Sequence, residues 1–360
     1  LFADFTYDLT DKIEVSLGGR YTEDERNSIV RRTSFVNGPS DLFGGSAIAF
    51  AVTSDFNGTA TYDDFSPRFS VAYRPNDVHN VYFTYSQGFK GGSFDPRGQT
   101  TAAPDFDGDG TVEEEEIFRF MQFDPEEVDS YEFGWKADWG PVRHSLAYFY
   151  ADYSDIQVPG SVGVDTDGDG VADSFAGVTT NAGAATLQGI EWEGFGVVDE
   201  DFLRDGDAIT LAWTLGLLDG EYDQFVNAFG VDISDQVSIQ NTPEYTGSAT
   251  LGYETPAWGG DMNLSTTLAF RGPSQQFELP SPQIDQEEFA LWNASAVWYS
   301  GSGDWSVALH GRNLTDERYK VSGYDFFSPN FTPPALGLEG TLTAFYGDPR
   351  TFTATFSYRY

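Results

Sequence analysis

The chain has 360 residues, with 19 basic against 57 acidic side chains and a formal net charge of -38. So large an acidic excess argues against a nucleic-acid partner, because a phosphate backbone is met by clustered Lys and Arg; it suits a well-solvated surface or one that gathers divalent cations. The lack of cysteine excludes disulfides, zinc–thiolate sites and a thiol nucleophile, and no run approaches the roughly 20 apolar residues of a membrane-spanning helix.

A membrane barrel built from strands stays open, since lipid-facing and lumen-facing residues alternate along each strand and average hydropathy stays low. Aromatic residues make up 16% of the chain, as interfacial girdles require. The sequence opens Leu1-Phe2-Ala3-Asp4 without Met or a basic-then-apolar leader, so a fragment lacking its N-terminal part is expected.

In chain order, residues 1–9 lead through Thr10-Asp11 into a second segment, in which Ile13, Val15, Leu17, Gly19 and Tyr21 alternate with Glu14, Ser16, Gly18, Arg20 and Thr22. A period of two puts these sets on opposite faces of a strand. Phe69, Val71 and Tyr73 alternate with Arg68, Ser70, Ala72 and Arg74, and after Pro75-Asn76-Asp77 the alternation resumes through Val81, Phe83, Tyr85 and Phe89. Further pairs are predicted at 127–139 with 142–157, 180–196 with 208–222, 243–256 with 260–271, and 288–300 with 304–319. Tight turns at Gly140-Pro141, around Gly206, at Gly259-Gly260 and at Gly301-Ser302-Gly303 join the members of each pair. Long loops are expected at 23–61, 92–126, 158–179, 223–242, 272–287 and 320–349. They fall on every second connection and so share one end, as in outer-membrane barrels. The final segment, 351–360, puts Phe352, Ala354, Phe356, Tyr358 and Tyr360 on one face and Thr, Ser and Arg on the other, at about the length of one tilted membrane strand. A soluble β-sandwich would carry shorter loops and one consistently drier face.

Several segments together resemble TonB-dependent receptors: Tyr82-Phe83-Thr84-Tyr85-Ser86-Gln87-Gly88-Phe89-Lys90-Gly91-Gly92, Tyr131-Glu132-Phe133-Gly134-Trp135-Lys136 and Gly189-Ile190-Glu191-Trp192-Glu193. The set continues with Asn313-Leu314-Thr315-Asp316-Glu317-Arg318-Tyr319, then Tyr346-Gly347-Asp348-Pro349-Arg350 and the aromatic terminal strand. The resemblance implies an all-β fold, an antiparallel transmembrane β-barrel of which residues 1–360 supply about 13 of about 22 strands. It also implies a plug domain and a TonB-reading box, neither recognisable in this sequence. In that family the last strand ends in the periplasm, so counting back makes residues 1–9 run inward and leaves an odd number of strands, about nine, to precede them. The same count places Leu338 to Phe345 in the last external loop as a small hairpin arm. The implied function is active uptake of a scarce bulky nutrient of siderophore, cobalamin or saccharide type across the Gram-negative outer membrane. The implied partners are the TonB-ExbB-ExbD complex, a small-molecule nutrient and outer-membrane lipid. A passive porin-like channel would keep the alternation without the 313–319 and 346–350 segments. A calcium-binding cell-surface protein would keep the acidic loops without the aromatic end.

Asp105-Phe106-Asp107-Gly108-Asp109-Gly110-Thr111-Val112-Glu113-Glu114-Glu115-Glu116 fits a 12-residue Ca2+ loop. Asp105, Asp107 and Asp109 are ligands at positions 1, 3 and 5, and Gly110 makes the sharp turn. Thr111 ligates through its carbonyl, Glu113 directly or through water, and Glu116 bidentately. No helix is expected before it, so it reads as a lone loop. Asp165, Asp167, Asp169, Val171 and Asp173 repeat the pattern, with Ala176 at position 12. Folding both loops over the barrel mouth through Ca2+ would offset repulsion among their carboxylates. His79, His144 and His310 are scattered and no Ser-His-Asp set can be placed, so no enzyme is expected. Arg20, Arg68, Arg74, Lys90 and Arg312 fall on predicted lumenal faces, where pairing with plug or wall carboxylates is the plain expectation. The acidic loops disfavour a free polyanion as ligand.

Overall fold

The computed structural model describes residues 1–36, 45–164, 174–181, 183–226, 231–325 and 341–359. The first strands are β1 (Phe2–Thr10), β2 (Ile13–Val36), β3 (Ile48–Tyr73) and β4 (His79–Lys90). After them come β5 (Ser93–Phe94), helix α1 (Glu114–Met121), β6 (Gln122–Phe123), β7 (Glu126–Asp138), β8 (Val142–Ser154), β9 (Gln157–Val164) and β10 (Ser174–Asn181). The second half holds β11 (Gly183–Glu200), β12 (Ala208–Phe225), β13 (Tyr245–Ala257), β14 (Gly260–Arg271) and β15 (Phe289–Ser300). It ends with β16 (Trp305–Arg312), β17 (Lys320–Asp325), β18 (Leu342–Tyr346) and β19 (Thr351–Tyr358). Thirteen of these form one antiparallel sheet in the order β1-β2-β3-β4-β7-β8-β11-β12-β13-β14-β15-β16-β19, with β1 and β19 at its two edges. Every neighbour in it is the next strand of the chain once the loop hairpins are set aside, the up-and-down order of a barrel wall.

Register carries the two-residue alternation across the whole wall. Tyr7 lies opposite Val15, Val15 opposite Val71, Val71 opposite Phe83 and Phe83 opposite Phe133. The row continues through Tyr148, Ile190 and Leu217. Trp298, Val307 and Phe356 extend the same face over the last strands. These side chains stay open to their surroundings: Phe133 is 53% exposed, Leu251 50%, Leu309 57% and Phe356 63%. A contiguous apolar face of this size is a surface for an apolar medium, not for water.

The other face pairs hydroxyls. Thr6 meets Ser16 at 2.9 Å, Ser70 meets Thr84 at 3.1 Å, and Thr214–Ser248, Thr250–Thr267 and Ser265–Ser295 each meet at 2.8 Å. The wall therefore has no core of its own. Among the described residues the buried apolar cluster is Val30, Phe56, Phe94 and Met121, and it lies beyond the wall in the long loops.

The short turns follow the expected chemistry. Asn76 Oδ1 accepts the N–H groups of Val78 and His79, both at 3.0 Å. Gly140 (φ 87°) donates to Asp138 Oδ1 at 2.8 Å. Trp258 and Gly259 both take positive φ, 51° and 73°, the primed geometry that matches strand twist. Asp207, 2% exposed, gathers the N–H groups of Leu203 and Arg204, both at 3.1 Å, and the Tyr253 hydroxyl at 2.6 Å, fixing the β11–β12 turn.

The long-loop end departs from the sequence reading. The loop expected over 23–61 is mostly strand: β2 and β3 keep pairing from Glu23–Asp63 out to Val36–Ile48. The segment expected over 158–179 forms the β9–β10 hairpin. The 92–126 stretch contains α1, and the strand expected to reach 319 ends at Arg312. The hairpin arm expected near Leu338 to Phe345 is present as β17 paired with β18, although 326–340 lie outside the described residues.

The two segments flanking that arm meet in space. Asn313, 4% exposed and at φ 49°, accepts the Glu317 N–H at 2.8 Å. Its Nδ2 donates to the carbonyls of Glu317 at 2.8 Å and Asp348 at 3.1 Å. Asp316 accepts the Arg350 N–H at 2.9 Å. Replacing Asn313 by Ala orphans these buried groups and removes a side chain that tolerates left-handed backbone. Asn313→Ala is expected to cost about 2–4 kcal/mol, read as a lower midpoint in urea unfolding of the detergent-solubilised protein.

Candidate functional site

Three long loops interlock at one side of the mouth. The outer parts of β2 and β3 offer Val30, Phe56 and Ala60 to Phe94 and to Ile117, Phe118, Phe120 and Met121 of α1. Phe56, Phe94 and Phe118 pack with centroids 5.1–6.1 Å apart. Asp95 is the polar hub of this cluster. It is 2% exposed, pairs with Arg97 Nη2 at 3.0 Å, takes the Arg97 N–H at 2.8 Å and accepts the Thr179 hydroxyl of β10 at 2.9 Å. Gly177 N–H on β10 also donates to the Arg97 carbonyl at 3.2 Å. Burial alone would raise the Asp95 pKa, but the Arg97 and Thr179 hydrogen bonds outweigh it and hold the carboxyl below its ordinary value. Gln157 and Asn181, at the base of the β9–β10 hairpin, tie it to the carbonyls of Gly91, Asp124 and Asp155 at 2.7–3.1 Å.

The predicted metal loop sits on this platform. The carboxylates of Asp105, Asp107 and Asp109 lie within 4.8 Å of one another, and so do those of Asp107, Glu113 and Glu116. The first turn is set by backbone donors: Gly108 and Gly110 N–H reach Asp105 at 2.6 and 2.7 Å. Gly110 takes φ 94°, the reason that position suits glycine. Thr111 places its hydroxyl between Asp109, at 2.7 Å, and Glu113.

No helix is expected before the loop, but a single 3-10 turn, Thr100–Ala102, precedes it, and an α-helix follows. Glu113 is the N-cap of α1 and forms a capping box with Glu116. The acidic run 113–116 therefore serves a helix N-terminus, where negative charge is favourable, while its ends face the aspartates. Arg119 of α1 covers the Phe106 ring at 4.4 Å and binds the loop to its helix.

Glu116 is pushed upward by burial, and more strongly downward by the N–H groups of Glu113, Phe106 and Asp107. Asp105 is lowered by the Gly110 and Gly108 N–H groups, and Asp109 by Thr111. Five carboxylates around one turn suit a hard divalent cation with oxygen ligands. Asp165, Asp167, Asp169, Val171 and Asp173 lie outside the described residues.

The basic residues singled out in sequence fall on the polar face. Arg74 pairs with Glu14 at 3.3 Å and Lys90 with Glu126 at 3.4 Å, and Arg20 reaches the Thr22 hydroxyl at 3.1 Å. Arg68 sits beside Gly18 and Ser86, and Arg312 beside Thr351. Near the short turns this face borders a cavity of about 970 Å³. In it Lys136 lies over the Tyr82 ring at 5.3 Å and Arg143 over Phe195 at 5.4 Å.

The histidines are less scattered than the sequence suggested. His79 and His144 share an aromatic cluster with Trp135 and Trp139, with centroids 4.5–6.2 Å apart, and Trp135 Nε1 donates to His79 Nδ1 at 3.2 Å. Only register brings them together, since Ala137 stands opposite both. His310 lies apart on β16, opposite Ser295 and Thr353.

The Asp95 hub has a measurable signature. Its folded pKa is depressed, so its contribution is complete above the ordinary value of 3.8 and is lost as pH falls through the lower folded value. The loop platform should hold unchanged from neutral pH to about 5 and loosen only in stronger acid. Asp95→Asn should speed hydrogen exchange of the Gly177 amide about tenfold at neutral pH, checked by mass spectrometry on the β9–β10 hairpin.

Comparison with known proteins agrees with this architecture. The family model described as TonB dependent receptor-like, beta-barrel, matches residues 1–314. The pesticin receptor of Yersinia enterocolitica is 24% identical over 327 residues, 90% of this chain and 40% of that protein. The ferric-pyoverdine M114 receptor PbuA of Pseudomonas sp. (strain M114) is 28% identical over 229 residues, 62% of this chain and 23% of that one. Among solved structures, the ferric yersiniabactin uptake receptor FyuA from Yersinia pestis superposes with a TM-score of 0.64 at 18% identity, over 99% of this chain and 44% of its own. The chain thus spans well under half the length of these relatives. A family match over most of the chain, on a sheet with one apolar and one polar face, settles the assignment: this chain belongs to the β-barrel family of TonB-dependent receptors, proteins of the outer membrane.

Proposed function

We propose that this chain is part of an outer-membrane receptor that carries a scarce bulky nutrient inward, with the driving energy delivered through TonB, ExbB and ExbD. Ferric siderophores are the ligand class favoured by the likeness to the ferric-pyoverdine receptor PbuA and the ferric yersiniabactin receptor FyuA; cobalamin and saccharides are the alternatives. The observation that carries the reading is the wall itself. Thirteen strands present apolar side chains outward and paired hydroxyls inward, and they end on one side in interlocked loops. The outward face meets membrane lipid and the loops meet the ligand. In this reading residues 1–360 form the C-terminal part of a larger barrel, since β1 and β19 each present an edge that only further strands can satisfy in a membrane.

The Asp105–Glu116 loop is proposed to hold Ca2+ through Asp105, Asp107, Asp109, Thr111, Glu113 and Glu116. Bound there, the ion would offset carboxylate repulsion and stiffen the start of α1, and with it the platform that α1 packs against. The 165–173 repeat is proposed as a second, weaker site.

Two measurements test these statements. Cells lacking their own receptor and expressing the intact protein should accumulate labelled ferric siderophore only when TonB is functional. Equal accumulation without TonB would point instead to a passive channel. Millimolar Ca2+ should raise the melting temperature of the purified protein, and Glu116→Gln should remove most of that rise; a melting curve indifferent to Ca2+ would dismiss the metal.

A further inference from the structure

A second set of loops interlocks on the other side of the mouth. Ser238 N–H donates to the Glu278 carbonyl at 2.8 Å and Asn241 N–H to the Gln275 carbonyl at 3.0 Å. The buried Ile284 packs against Gly323 of β17. Between the end of β14, the 272–288 connection and the start of β17 lies a cavity of about 90 Å³. Arg271 and Lys320 line it, together with Ser274, Gln276 and Gln286, which are only 8%, 7% and 9% exposed.

No carboxylate is among the described residues that line this cavity. In a chain with 57 acids against 19 bases, two cations and no acid around one space reverse the local sign of charge. Three neighbouring acids are held by donors of their own. Asp285 accepts the N–H groups of Gln276 at 3.1 Å and Ser281 at 2.9 Å, Glu288 takes the Tyr245 hydroxyl at 2.5 Å, and Glu278 takes the Gln240 amide.

Both cations are oriented without being neutralised. Arg271 Nη2 donates to the Asn241 carbonyl at 3.0 Å and Lys320 Nζ to the Gln283 carbonyl at 3.2 Å. Neither belongs to an ion pair among the described residues.

The walls are braced. Ser274 and Gln286 exchange backbone hydrogen bonds at 2.9 and 3.0 Å, Lys320 N–H reaches Gln286 Oε1 at 2.6 Å, and Phe289 stacks flat on Tyr319, centroids 4.5 Å apart at 14°. The space suits a group the size of a few water molecules, not a whole nutrient. A planar guanidinium and a compact ammonium beside a flat aromatic wall make the donor set that recognises a small planar anion.

We propose that this cavity is a subsite for a carboxylate group carried by the extracellular ligand. The proposal builds on the receptor reading and narrows it to ligands bearing a carboxylate. The acidic loops around the mouth repel a free polyanion, and this cavity is where a single anionic group is accepted.

The test is calorimetric titration of the intact, detergent-solubilised receptor with formate, acetate and inorganic phosphate at millimolar concentrations. Wild type, Arg271→Gln, Lys320→Gln, Lys320→Arg and the distant control Arg359→Gln are compared. Wild type and Arg359→Gln should bind the carboxylates. Arg271→Gln and Lys320→Gln should each bind about tenfold more weakly, with Lys320→Arg close to wild type. Half-exposed Lys320 keeps the comparison valid if Arg271→Gln fails to fold. Absence of carboxylate binding, equal binding by Lys320→Gln, or a preference for phosphate would each overturn the proposal. Siderophore uptake is scored in parallel. TonB-dependent uptake with calorimetry unaltered by the variants removes the subsite and keeps the receptor, whereas absent uptake with the calorimetric loss intact does the reverse.

Discussion

Backbone hydrogen bonding in a medium without water is the constraint on which this structure rests. Each N–H and C=O in the hydrocarbon layer needs a partner from the protein, and a strand finds that partner only in its neighbours. Thirteen strands paired in chain order meet the demand everywhere except at β1 and β19. Once pairing is fixed, the side chains have no freedom of face, because one residue of slip would turn every outward Phe and Leu inward. Register thus ties the membrane belt to the lumenal wall, and neither can change alone.

The same constraint explains why buried apolar packing appears outside the wall. A single-layer sheet facing lipid on one side and a polar lumen on the other has nothing to enclose. Packing in the globular sense begins where β2 and β3 rise beyond the belt and Val30 and Phe56 meet Phe94 and Met121. There the protein behaves as an ordinary small domain, with a helix, a capping box and a buried carboxylate on an arginine. The wall depends on pairing, whereas the loop platform depends on burial and on the charges of Asp95 and Arg97.

Sequence periodicity made the wall legible because belt and lumen impose opposite chemistry at successive residues. The beginnings and ends of β4, β7, β13 and β14 lie within a few residues of the pattern seen in Val81–Phe89, 127–139, 243–256 and 260–271. Beyond the membrane that contrast vanishes. Residues such as Glu23, Asp24, Glu25 and Arg26 pair with Asp63, Tyr62, Thr61 and Ala60 as strand; the loop platform buries Tyr62, but the β2 residues paired with it are all charged, so no apolar alternation marks the strand in sequence. Helix α1 was hidden for another reason: Glu113 and Glu116 read as metal ligands, and the capping box they also form has the same composition. The 313–319 and 346–350 segments could be recognised individually. That Asn313 joins them across the β17–β18 arm is a long-range contact carried by no local pattern. The reversal of charge at Arg271 and Lys320 is likewise invisible in a sequence whose loops are acidic on average.

The paired hydroxyls of the inner wall carry one more implication. Thr214 with Ser248, Thr250 with Thr267 and Ser265 with Ser295 each share one hydroxyl hydrogen bond across neighbouring strands, which leaves one donor and most of the lone pairs of every pair open to the lumen. Those spare sites let the lining carry a film of water, so whatever lies beside it meets solvent before it meets protein. Firmer, directional contacts fall to the charged groups set into that lining, such as Arg74 beside Glu14 and Lys90 beside Glu126.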